Sequence, residues 1–201
     1  MMTEVIAGNV YDKYQTRNPL ARWFTNGYLK HFDALLSTID PKNILEVGCG
    51  EGHLIAHLRR LKPKAVLEGS DYSQEIINAA KSRNPGVSLK AADVLNLPYA
   101  DGAYELVVAA EVLEHVAQYE KALKEIARVG SKYFLLSVPQ EPIWRVLNCL
   151  RLKYVGQLGN TPGHVNHFSR QQFLTLARRY LDIKEESHPF PWSMVLCTKK
   201  N

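Results

Sequence analysis

Between Glu46 and Gly52 the sequence reads Glu-Val-Gly-Cys-Gly-Glu-Gly, with glycines at 48, 50 and 52. Glycine at such positions lets the backbone turn tightly and lets a ligand approach where a Cβ would otherwise stand. A helix starting just beyond the turn offers unpaired N–H groups to an anionic group such as a carboxylate. A second kind of chemistry is available at Glu111-Val112-Leu113-Glu114-His115, an E-x-x-E-H run, and in Gly163–Ser169, which carries His164 and His167. Histidine titrates near neutrality, so His115, His164 or His167 can serve as a general base for a hydroxyl acceptor. Glu111, Glu114 and His115, joined by His164 or His167, also have the residue types of a divalent-ion site. Plainer readings stand beside these. A loop histidine can simply hydrogen-bond the backbone, and Glu114-His115-Val116 can simply start the helix after a strand. The plainer reading is preferred for the metal, because ligand spacing across two distant segments arises easily by chance. No metal site is therefore expected.

The elements that must bring these groups together follow from periodicity. Residues 1–19, with Tyr11, Tyr14 and Asn18-Pro19, form a polar and aromatic lead-in. From Leu20 to Ile39 apolar residues recur at helical spacing, up to Asp40-Pro41. Asn43–Val47 is a short β-type run that stops at Gly48, and a helix pattern follows from His53 to Leu61. Ala65–Ser70 reads as a second strand, Ser73 as the cap of the next helix, and Asn84-Pro85-Gly86 as its end. Val87–Ala92, Tyr104–Ala110 and Lys132–Val138 supply three more strands, with helical residues Leu123, Ile126 and Val129 between the last two. Strands alternating with helices imply right-handed crossovers and a parallel sheet covered on both faces. Phe173–Tyr180 is helical. Leu181–Ser187 and Trp192–Thr198 are joined by only Pro189-Phe190-Pro191 and neighbouring residues, too short for a crossover helix, so this pair should be antiparallel. The amphipathic, basic and aromatic stretch Ile143–Tyr154 reads as a lid over an apolar acceptor, a surface that touches lipid, or a helix packed on the sheet edge.

Composition restricts the class. With 201 residues, 46% hydrophobic and 22% charged, the chain suits one globular domain. Cys49, Cys149 and Cys197 are far apart and odd in number, which argues against a disulfide framework or a zinc-thiolate site. No apolar run approaches the ~20 residues of a membrane-spanning helix, and no signal-peptide pattern opens the sequence. A cytoplasmic protein is the expectation. The net charge of +5 is mild, and no aromatic-basic recognition motif accompanies it, so no nucleic-acid partner is expected.

A dinucleotide-binding turn wants G-x-G-x-x-G. Here the spacing is G-x-G-x-G, position 53 is His, and an acid, Glu46, precedes the loop. In these features the chain resembles the class I S-adenosylmethionine-dependent methyltransferases, and among them the small-molecule enzymes of the ubiquinone-biosynthesis kind. The resemblance runs over roughly residues 40–200. It implies a seven-stranded, mostly parallel Rossmann-like sheet with helices on both faces and an antiparallel C-terminal hairpin strand. It also implies an acid at the end of the second strand that holds the ribose hydroxyls, which Asp71 fills, and an acid near the adenine amino group, which Asp93 fills. Glu46, Gly48, Cys49, Gly50, Gly52, Asp71, Tyr72, Asp93, Val94 and Glu111 are then the expected cofactor-binding residues, and His115, Glu111 and His164 the catalytic candidates. The cofactor is S-adenosylmethionine, leaving as S-adenosylhomocysteine. The expected acceptor is a small or medium organic molecule with an O-, N- or C-nucleophile, of the lipid, quinone or secondary-metabolite kind, and a peripheral membrane contact is the further partner considered. Residues 1–201 are read as one domain, with residues 1–40 a helical lead-in and lid and residues 140–168 an acceptor-side insertion. Tyr11 or Tyr14 would close over the cofactor. Two alternatives stay open: a metal-assisted RNA 2′-O-methyltransferase, and a catalytically silent cofactor-binding partner protein.

Overall fold

The structure, a computed structural model, describes residue 16, residues 18–152 and residues 154–200. Tyr11 and Tyr14 lie outside the described residues. The chain opens with α1 (Pro19–Ser37), whose start is fixed by Asn18: its side chain accepts the Leu20 and Ala21 N–H groups, and Pro19 fills the first turn. Phe24, Tyr28, Phe32, Leu35 and Leu36 recur on one face of α1 and are buried. The helix stops at Ser37, short of Asp40-Pro41.

Seven strands follow: β1 (Asn43–Val47), β2 (Val66–Asp71), β3 (Ser88–Ala91), β4 (Tyr104–Ala110), β5 (Gly130–Pro139), β6 (Leu181–Ser187) and β7 (Trp192–Lys199). They form one sheet in the order β3-β2-β1-β4-β5-β7-β6. β1 to β5 pair in parallel, while β7 runs antiparallel to both β5 and β6. The helices α2 (His53–Leu61), α3 (Gln74–Arg83) and α4 (Tyr119–Val129) are the crossovers, and α5 (Ile143–Leu150) and α6 (Arg170–Tyr180) precede the hairpin. Ser169 and Gln172 cap α6 reciprocally, each side chain taking the other's backbone N–H.

Two apolar layers sandwich the sheet. One is built on Leu123, Ile126, Phe173 and Ala177 with Val107 and Phe134, the other on Phe24, Tyr28, Phe32 and Leu36 with Leu106, Leu135 and Leu196. The central strands therefore read as continuous hydrophobic runs, as covered parallel strands do. The idea that Glu114-His115-Val116 opens the helix after β4 is corrected: Leu113–His115 is a separate 3-10 turn, and α4 begins only at Tyr119. Likewise the helix within Ile143–Tyr154 stops at Leu150. No helix among the described residues is long and apolar enough to cross a membrane.

Candidate functional site

From β1 the chain crosses to β2 and β3 on one side, and from β4 to β5 on the other. The strand ends at β1 and β4 therefore border the crevice where open α/β sheets bind ligands. The glycine turn leaves β1 there. Gly48, Gly50 and Gly52 all have positive φ, at 69°, 51° and 77°, in the left-handed region that other residues resist. At Gly48 a Cβ would also stand 2.5 Å from Val112 Cγ2. Gly52 serves the frame behind the loop: its carbonyl accepts a 2.9 Å hydrogen bond from Asn84 Nδ2, and a Cβ would meet that same nitrogen at 2.4 Å.

Asp71, at the end of β2, fixes the turn. Its Oδ2 accepts the Gly50 N–H at 2.9 Å and its Oδ1 accepts the Ser73 N–H at 3.2 Å. A carboxylate offers about four acceptor sites, so roughly two remain beyond these bonds, and Asp71 lines the cavity described below. Asp93 accepts the Leu95 N–H at 2.8 Å and so shapes the turn after β3. Cys49 is buried, and burial with the Glu46 and Asp71 carboxylates pushes its thiol up. It stays protonated and is no nucleophile.

Across the crevice, Glu111 sits at φ 60° with its N–H donating to the Ser137 carbonyl at 3.0 Å. A non-glycine residue held there stores strain, and such strain collects at functional sites. The 3-10 turn at Leu113–His115 is stitched to the distant loop at 163–166. Val165 and Asn166 N–H groups donate to the Glu114 carbonyl at 2.9 and 3.0 Å, and Asn166 Nδ2 donates to the Leu113 and Val116 carbonyls at 2.9 and 2.8 Å. These bonds bring His115 and His164 edge to face, ring centres 4.8 Å apart.

His115 Nδ1 lies 3.0 Å from the Gly163 carbonyl oxygen. A carbonyl only accepts, so Nδ1 carries the proton, and in the neutral ring Nε2 is the acceptor. His164 is buried, and burial, reinforced by His115 and His167 against Glu111, pushes its pKa down to about 4. It is neutral at pH 7, and its Nδ1 has no hydrogen-bond partner among the described residues. His167 turns elsewhere: its Nδ1 lies 3.7 Å from Glu141 Oε1. Glu141 is buried, its carboxyl pushed up by that burial, and its Oε2 accepts the Arg145 N–H at the start of α5.

The turn at Gly48–Gly50, Asp71, Asp93, Glu111 and the pair His115 and His164 open on one cavity of about 470 Å³, a size typical of small-molecule sites. Glu46, Gly48, Cys49, Gly50, Asp71, Tyr72, Asp93, Val94 and Glu111 line it, and so do His115 and His164. Of the expected site residues only Gly52 does not. Phe24, Trp144, Leu147, Pro191 and Trp192 form the cavity's apolar wall; the first three fall in helices whose amphipathic pattern also reads as a lid over an apolar acceptor, whereas Pro191 and Trp192 carry no such expectation. The Trp144 and Trp192 rings lie 5.2 Å apart, and Trp144 Nε1 donates to Thr161 Oγ1 at 2.9 Å. Asn148 Nδ2 donates to the Gly159 carbonyl at 2.9 Å and ties α5 to the same loop. Glu114, His115 and His164 place their ligand atoms within 4.8 Å of one another, without Glu111 or His167.

Residues 45–133 match the family described as a methyltransferase domain. The match runs from β1 into β5, 89 of the 201 residues, and over that part the chain is similar to this family. A demethylmenaquinone methyltransferase of Thermus thermophilus is 35% identical over 109 residues, covering 51% of this chain and 50% of that protein. Norajmaline N-methyltransferase of Rauvolfia serpentina is 36% identical over 97 residues, covering 45% of this chain and 33% of that protein. The matched stretches thus span half or less of these relatives. The methyltransferase fold extends further than the sequence match. Magnesium protoporphyrin IX methyltransferase from Synechocystis, solved with S-adenosylhomocysteine bound, superposes with TM-score 0.67 over 92% of this chain and 89% of that one, at 16% identity. The methyltransferase solved with its Trm112 activator from Haloferax volcanii gives 0.70 over 92% and 100%, also at 16% identity.

Proposed function

We propose that this domain transfers the methyl group of S-adenosylmethionine to a small or medium organic acceptor with an apolar, flat body, such as a quinone, a lipid or a secondary metabolite. The observation that carries the reading is one cavity lined both by the glycine turn with Asp71, Asp93 and Glu111 and by the aromatic residues Phe24, Trp144 and Trp192, with His115 and His164 on the same lining. The methyl donor supplies an electrophilic methyl on a sulfonium, which becomes a neutral thioether when the acceptor's lone pair forms the new carbon bond. Asp71 holds the ribose hydroxyls with its remaining acceptor sites, and Asp93 stands at the adenine end. The turn from Gly48 to Gly50 gives the donor's backbone-like carboxylate end room against the main chain. Glu46, Cys49, Tyr72, Val94 and Glu111 complete the enclosure. His115 Nε2, left as acceptor by the bond from Nδ1 to Gly163, takes the acceptor's proton, and neutral His164 excludes water beside it. Alignment of the two reactants contributes much of the acceleration. Residues 140–168 form the acceptor side, and the free cysteines suit a reducing, cytoplasmic setting.

The test is incubation with labelled methyl donor and fractionated cell extract. Label entering an apolar small-molecule fraction supports the reading. Cofactor binding without transfer to any fraction overturns it in favour of a silent binding partner.

The Glu114–His115–His164 cluster supports a second reading, in which a divalent ion assists deprotonation of the acceptor, as in the RNA 2′-O-methylating alternative. Zinc bonds of ~2.0–2.1 Å place donor atoms about 3.4 Å apart, so the donors, spread over as much as 4.8 Å, would have to close in. Nitrogen and carboxylate donors do suit such an ion.

A further inference from the structure

We propose that the rim of the cavity formed by α1, α5 and the β6–β7 turn docks on an anionic lipid surface. On α1, Ala21, Phe24 and Thr25 face the cavity while Leu20 and Trp23, three residues apart, face outward. On α5 the division repeats: Trp144, Leu147, Asn148 and Arg151 line the cavity, and Val146 and Leu150, four apart, face outward. Leu152 and Leu158 follow in the turn beyond α5, and Phe190 tips the β6–β7 turn. These side chains are large and open to solvent: Trp23 is 65% exposed, Leu150 75%, Leu152 85% and Leu158 72%. The three segments belong to one rim. Phe24 meets Phe190 at 5.7 Å between ring centres, and Trp144 meets Trp192 at 5.2 Å. Large apolar side chains exposed together along one rim mark a contact site rather than ordinary surface.

Charge selects the occupant. The described residues of 18–32, 143–152, 154–165 and 188–193 include Arg22, Lys30, Arg145 and Arg151, and no Asp or Glu. Arg145 and Arg151 spend their donors on neutral partners, the Leu158 and Leu147 carbonyls and the Asn148 side chain. Their charge is not cancelled by a carboxylate ion pair among the described residues. Apolar side chains rimmed by uncancelled bases are what an interfacial surface facing anionic headgroups requires. Single-stranded RNA is a poorer match, because base stacking needs aromatic platforms and the outward residues are mostly aliphatic. The surface goes beyond the methyl-transfer reading and does not depend on it: the apolar end of the cavity would open at the bilayer, where an apolar molecule partitions.

The experiment is co-sedimentation of the full chain with phosphatidylcholine vesicles, with and without phosphatidylglycerol, at low and raised salt. The double variant Leu150→Glu/Leu152→Glu changes residues outside the cavity lining, and an unchanged melting temperature shows that it folds. The chain should sediment with the anionic vesicles, less so at raised salt, and the double variant should partition at least about tenfold more weakly. No sedimentation with anionic vesicles, or equal sedimentation of both proteins, overturns the proposal. So does a double variant whose loss appears only in RNA or protein capture. No methyl donor is used, so failure here and failure of methyl transfer are separate results.

Discussion

Replacing Asp71 by alanine removes a carboxylate with two kinds of work, holding the glycine turn and, in the proposed function, holding the cofactor ribose. The first is visible as the bonds from Gly50 and Ser73 N–H. Their loss leaves two backbone donors that water can partly satisfy, a cost of about 1–2 kcal/mol. In a domain of this size that lowers the melting temperature by roughly 2–8 °C. The second is worth about 1.5–3 kcal/mol for charge-assisted bonds to the ligand, which converts to roughly 10–100-fold in dissociation constant. Calorimetric titration with S-adenosylhomocysteine measures this total. A 2′,3′-dideoxy analogue separates the two contributions, since a paired interaction appears as non-additivity. Wild-type protein should lose affinity for the analogue by about the factor that the variant loses for the full ligand, while the variant should barely distinguish the two. If Asp71→Ala binds the full ligand as wild type does, or if it still discriminates against the analogue, Asp71 does not hold the ribose.

Gly48→Ala should cut cofactor affinity at least about tenfold without touching a polar group, because the new Cβ is strained by φ 69° and stands 2.5 Å from Val112; equal titrations would refute the packing argument. His115→Ala should lower kcat by about 10²–10⁴-fold with cofactor affinity kept, and wild-type turnover would leave catalysis to positioning alone. His164 has a folded pKa near 4, below its ordinary 6.5. The unfolded state therefore binds the extra proton first, and stability present above pH 6.5 is lost as pH falls toward 4, by about 3 kcal/mol at most. Urea unfolding of wild type and His164→Asn between pH 7 and 4 should show that loss in the wild type alone. Exhaustive chelation followed by added magnesium or zinc should leave turnover unchanged if His115 acts unaided, and a recovered rate would favour the ion-assisted reading.

The parallel half of the fold was legible because each local signal agreed with its neighbour. Ser73 caps α3 as its type suggests, Asn84 ends that helix, and the short Pro-rich link yields the antiparallel pair. Asp71 and the glycines lie where one strand hands over to one helix, so short-range spacing sufficed to place them on the crevice. The acceptor side was not legible in the same way. His115 and His164 are brought together by Asn166, by two backbone amides that reach back to Glu114, and by the bond from His115 to Gly163, all about 50 residues apart in sequence. Spacing carries no trace of such bonds, which is why His167 looked equivalent to His164 although it faces Glu141. Trp192 was legible as the start of a strand but not as part of the wall it shares with Phe24, because that wall depends on α1 packing against β7.

The insertion of β7 between β5 and β6 has a consequence for how the chain is made. β7 is buried from Trp192 to Cys197, yet it follows every other element in the chain. As the chain emerges from the ribosome, β5 waits with a bare apolar edge over some fifty residues of synthesis until β7 arrives. The waiting edge is a template for wrong pairing. Closure of this edge therefore waits for β7, and chains halted before Trp192 are the ones that chaperones and proteases must handle.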